Sequence, residues 1–137
     1  MAKSDPKIDR LANVPVFSGC DRKELAVIAS IVDEVSVDSG TAIIKQGEHL
    51  SFAYVVESGS GRVEIGGEQV GEVHVGEVLG EISMFDPAPA AATIVADTSM
   101  SLLVIRHGAF SEIIRSNPDL AISLLRTMAK RFHDATR

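Results

Sequence analysis

The stretch Arg62-Val63-Glu64-Ile65-Gly66-Gly67-Glu68-Gln69-Val70-Gly71-Glu72-Val73-His74-Val75-Gly76 decides the fold class. Arg62 to Ile65 alternates polar and apolar side chains, the period of a half-buried strand, and then meets Gly66-Gly67, a two-residue signal for a tight hairpin. The same punctuation continues on both sides. Gly40, Gly47, Gly59 and Gly80 help to separate further short runs at 41–44, 53–56, 72–75, 93–96 and 101–105, most of them rich in Val, Ile or Thr. Short strands spaced by glycine turns predict an all-β sandwich or barrel, and the roughly seventy residues from Val35 to Ile105 leave room for about eight of them.

Helical patterns flank this region. Asp21 can cap a first turn, with Glu24 completing a capping-box-like pair, and Leu25, Ile28, Ala29 and Val32 follow at helical spacing, which predicts a helix near 21–33. After Ile105, Phe110, Ile113 and Ile114 suit a short helix. Asn117-Pro118 then supplies an N-cap and a proline at the first helical position of a helix over 118–132. Leu120, Leu124, Met128 and Phe132 form an i, i+4 ridge on it, with Leu125 alongside. Residues 1–10 are polar and read as a frayed end, leaving 11–137 as one domain. The expected fold is mainly β: an eight-stranded antiparallel β-roll (a double-stranded β-helix or jelly roll) with helical N- and C-terminal segments.

Composition narrows the function. The 137 residues, 45% of them hydrophobic and 23% charged, make an ordinary globular chain with too little material for two independent cores. No apolar run approaches the roughly 18 to 20 residues a spanning helix needs, and Met1-Ala2-Lys3-Ser4-Asp5-Pro6 does not read as a signal peptide. A soluble, cytoplasmic protein without membrane insertion is the expectation. Residues 11–114 hold fifteen acidic against five basic residues, while 115–137 hold two against five. With a net charge of −6, phosphate neutralisation along a nucleic acid is disfavoured. The single Cys20 excludes an intrachain disulfide and a thiolate cluster; its place before a helix N-terminus can lower its pKa, although a quiet, partly buried thiol is the simpler reading. Glu72 and His74 lie two apart on a strand pattern, but two ligands without a third describe a solvated face rather than a metal site. No nucleophile elbow, phosphate-binding P-loop or spaced Cys/His pair is present, so no enzyme activity is expected.

Several segments together carry a resemblance. They are Val14-Pro15-Val16-Phe17, Gly40-Thr41-Ala42-Ile43-Ile44-Lys45-Gln46-Gly47-Glu48, Tyr54-Val55-Val56-Glu57-Ser58-Gly59 and Gly76-Glu77-Val78-Leu79-Gly80-Glu81-Ile82-Ser83. In this order, over about Leu11 to Phe132, they resemble the cyclic-nucleotide-binding domain family. That family includes sensor domains of catabolite-activator-like regulators, regulatory subunits of cAMP-dependent protein kinase, and nucleotide-gated channels. The resemblance implies a phosphate-binding cassette beginning at Gly80, with Gly80, Glu81, Ile82, Ser83, Ala90, Ala91 and Thr93 as the ligand-binding positions. Glu81 would accept from a ribose 2′-hydroxyl, and Ser83 and Thr93 would offer hydroxyls. The family's phosphate-binding arginine falls at Ala90, where this chain has no charge to offer. Pro87 and Pro89 stiffen the same cassette and remove two backbone donors.

Two functions follow from the resemblance. One is a non-enzymatic regulatory module, degenerate in cyclic-nucleotide binding, that acts through a protein partner or self-association. The alternative is a working cAMP or cGMP sensor, or a sensor of another small ligand, signalling to a partner or to a larger protein. No cofactor is expected in either.

Overall fold

The computed structural model describes residues 6–80, 83 and 88–135. Its elements in chain order are α1 (Pro6–Ala12), a 3-10 turn (Pro15–Phe17), α2 (Arg22–Ala29), β1 (Val32–Val37), β2 (Ala42–Ile44), β3 (Phe52–Ser58), β4 (Gly61–Ile65), β5 (Glu68–Val73), β6 (Val78–Leu79), β7 (Thr93–Ala96), β8 (Met100–Arg106), α3 (His107–Ser116) and α4 (Pro118–Ala135). They fall into two compact units: residues 32–108, and the two ends of the chain together.

The central unit contains two four-stranded antiparallel sheets, ordered β1-β8-β3-β6 and β2-β7-β4-β5. Val56, Leu79, Met100 and Leu102 from the first sheet meet Ile44, Val73, Ile94 and Ala96 from the second in one buried cluster. The eight-stranded antiparallel roll is therefore present as expected. Its hairpin is the one that Gly66-Gly67 predicts: both glycines have positive φ, +60° and +86°, which is what lets two residues reverse a twisted pair of strands. The β4–β5 register shifts between Val63 and Glu64, so Val70 is an extra residue on β5 and stands exposed.

Three boundaries differ from the sequence reading. Helix α2 stops at Ala29, not near residue 33, because Ser30 bonds back to Val27 through its hydroxyl and Val32 starts β1, paired with Ile105. The run at 72–75 straddles the end of β5, leaving His74 and Val75 beyond the strand. At the start of the chain, Pro6–Ala12 forms a helix with Leu11 buried, where polar composition suggests fraying to residue 10; residues 1–5 lie outside the described residues.

In the unit formed by the chain ends, the Asp21–Glu24 capping box is complete: Glu24 N–H donates to Asp21 Oδ1 at 2.8 Å, and Asp21 N–H donates to Glu24 Oε1 at 3.0 Å. The Ser123 hydroxyl of α4 donates to the same Glu24 carboxylate at 3.0 Å from Oε2, which ties α4 to the start of α2. Leu120 and Leu124 of the predicted ridge are buried, Met128 is half-buried, and Phe132 is exposed. Asn117 precedes α4 as predicted, and its side-chain amide donates to the Ile113 carbonyl at 2.8 Å, which closes α3. Among the described residues, no helix is long and apolar enough to cross a membrane.

Candidate functional site

The chain from Pro89 to Thr93 is laced to the 46–49 loop. Gly47 N–H donates to the Ala90 carbonyl and Ala90 N–H to the Glu48 carbonyl, both at 2.8 Å, while His49 bridges Pro89. Gln46 N–H donates to Thr93 Oγ1 at 2.9 Å. These bonds fix the backbone at Ala90, a residue only 9% exposed. On the opposite side, Gly80 has φ +78°, and a Cβ there would lie 3.2 Å from both Leu50 Cδ1 and the Phe52 carbonyl oxygen. Glycine is needed at this position for its conformation and for the close approach.

Between these two edges lies a cleft of about 410 Å³. Ile44, Leu50, Val78, Leu79 and Ile94 form its aliphatic wall. Gly80, Ser83 and the Ala88 to Ala92 segment form its rim, with Ala91 exposed there. Four of the predicted site residues, Gly80, Ser83, Ala90 and Ala91, therefore meet at one cleft. Thr93 does not line it, and its hydroxyl serves the 46–49 loop. Glu81 and Ile82 lie outside the described residues, as does Pro87. The aliphatic wall was not legible as a site, because inward-facing strand residues carry the same pattern whether they meet core or cleft.

No charged residue lines the cleft among the described residues. Arg62, Lys45 and Arg106 are the basic residues that could stand in for a missing arginine, and none of them lines it. Arg62 is held by Glu64 at 2.7 Å from Nε and by Asp97 at Nη1, and these hydrogen bonds raise its pKa further. Lys45 and Arg106 are exposed.

One further polar group stands behind Gly80. The His107 imidazole faces the carbonyls of Gly80, Phe52 and Leu50, while its backbone N–H donates to Ser51. Its Nε2 is buried without a hydrogen bond. Burial lowers the His107 pKa, outweighing the three carbonyls that favour the cation. Nothing in the local sequence marks this histidine, whose surroundings come from the sheet topology.

The remaining candidates are quiet. Cys20 is pushed up to about 11 by burial first, then by Glu24 and Asp21, so the helix N-terminus does not activate it. His74 and Glu72 form an exposed pair at 3.2 Å, and no group of three or more metal-ligating side chains occurs among the described residues.

The fold and site together are a two-sheet antiparallel β-roll with a Gly80 turn and a small-residue rim over an aliphatic cleft. Comparison makes the assignment specific. Residues 34–117 match the model of the cyclic nucleotide-binding domain, so the chain belongs to that family. It is 36% identical over 93 residues to a cAMP-dependent protein kinase regulatory subunit of Mucor circinelloides f. lusitanicus, covering 68% of this chain and 22% of that protein. It is 29% identical over 106 residues to the corresponding subunit of Yarrowia lipolytica, covering 76% and 28%. The chain thus spans about a quarter of the length of these curated relatives. Among solved structures it is similar to the N-terminal domain of a transcriptional regulator from Streptomyces coelicolor A3(2), with a TM-score of 0.82, 29% identity and 93% of each chain covered.

Proposed function

We propose that this chain is a non-enzymatic regulatory module whose cassette binds cyclic nucleotide weakly or not at all and whose output passes through a protein partner. Ala90 carries the reading. A cyclic phosphate desolvated beside Ala90 meets a methyl group where the family supplies a guanidinium. Truncating one member of such a charge pair costs about 2–5 kcal/mol. The chain's acidic excess works in the same direction.

The partner reading is supported by α4. Ile122, Leu125 and Phe132 are 45%, 61% and 72% exposed and recur at i, i+3 and i+10. This stripe lies on the helix face opposite buried Leu120, Leu124 and Thr127. Exposed Arg126, Lys130 and His133 flank it, which suits an acidic protein surface. Such a module needs no cofactor and fits a cytoplasmic setting.

A second reading, a working cAMP or cGMP sensor, draws on the retained Gly80 turn and on relatives named as cAMP-dependent protein kinase regulatory subunits. Calorimetric titration of cAMP and cGMP separates the two. The first reading expects no saturable heat at micromolar ligand; micromolar or tighter binding establishes the second.

A further inference from the structure

We propose that the cleft between Gly80 and Ala90 takes an uncharged, predominantly apolar small molecule. This rests on the reading that the cleft does not take a cyclic phosphate.

Charge argues for it first. No charged side chain lines the cleft among the described residues, so they bring no counter-charge for an anion.

The polar atoms argue for it independently. Ala90 N–H and C=O are both spent on the 46–49 loop, and the Thr93 hydroxyl accepts from Gln46. Among the described lining side chains, Ser83 alone carries a hydrogen-bonding group. Few side chains here could pair with a desolvated polar ligand, whereas apolar surface gains from the aliphatic wall. A ligand with one hydrogen-bonding group at the Ser83 edge and a hydrocarbon body against Ile44, Leu79 and Ile94 fits this lining. The volume of about 410 Å³ lies within the usual range for small-molecule sites.

The test uses the whole chain and N-phenyl-1-naphthylamine, a neutral dye that fluoresces in apolar surroundings. The expected result is saturable enhancement, with methyl resonances of Ile44 and Ile94 shifting along the same titration. Ala91→Phe, at the exposed rim, should weaken dye binding by about tenfold or more while leaving the melting temperature unchanged. Leu125→Lys, which removes apolar surface from the exposed stripe of α4, should leave dye binding intact. The inference is overturned if the dye does not bind, or if Leu125→Lys abolishes binding and Ala91→Phe does not. No binding of either dye or cAMP overturns the inference and leaves the functional reading standing. Displacement of the dye by micromolar cAMP overturns the functional reading itself.

Discussion

Arg62 on β4 is bonded to Asp97, the residue just after β7, Nη1 to Oδ1, while its Nε holds Glu64. This arginine lies on a strand of the sheet that also supplies Ile44 and Ile94 to the cleft, yet its charge is committed elsewhere. Arg62→Ala should therefore leave any residual cAMP affinity unchanged. Its effect on stability should be small and should shrink as salt is added, as for other part-exposed pairs. Titration calorimetry and salt-dependent melts check both; a large loss of cAMP affinity would place Arg62 in ligand binding.

The two sides of α4 should respond differently to truncation. Leu124 is 2% exposed, so Leu124→Ala should cost about 2–5 kcal/mol. Leu125→Ala, on the exposed stripe, should stay within about 0.5 kcal/mol. Denaturant midpoints at constant slope measure the difference. Equal effects would mean that the stripe is covered.

The lowered pKa of partly buried His107 predicts acid sensitivity. Its folded-state pKa lies below the unfolded value of about 6.5, so on acidification the unfolded chain takes up the proton first. Stability tied to this group is complete above the unfolded pKa and is lost as pH falls through the folded one. Melts between about pH 7.5 and 5.5 should show a decline that His107→Gln flattens. An identical decline in the variant would assign the effect to other groups.

Cys20 should be slow to react. A thiol pKa raised from 9.0 to about 11 lowers the thiolate fraction near neutral pH roughly a hundredfold, two pKa units being two decades. Iodoacetamide should modify the native chain far more slowly than the denatured one. Similar rates would contradict the assigned burial.

The fold was more legible than the site, for physical reasons. Gly66-Gly67 announced its hairpin because two consecutive residues at positive φ leave little choice but glycine. β7 was read at its full length because Thr93-Ile94-Val95-Ala96 is bounded by small and polar residues. By contrast, Val32 was read as helical, since one β-branched residue in register with Leu25 and Ile28 looks like another turn until Ile105 pairs with it. β6, two residues long, is too short to carry any period. At the cleft, Gly80, Ser83, Ala90 and Ala91 came from the ordered motif. Leu50 and Leu79, and His107 behind Gly80, did not, because long-range pairing of β3 with β6 and β8 sets their positions.

On the proposed reading a missing cation, and not a missing cavity, sets the affinity of this cleft for a cyclic phosphate. Ala90 is fixed by its bonds to Gly47 and Glu48 and lines the cleft. An arginine side chain grown from that position therefore starts at the rim. The most direct measurement is calorimetric titration of cAMP into the natural chain and into Ala90→Arg, side by side. Weak or undetectable binding by the natural chain is expected, with a gain of about tenfold to a hundredfold in the variant, the worth of a charge-assisted bidentate contact. Tight binding by the natural chain, or no gain from the arginine in a variant that folds normally, would contradict it.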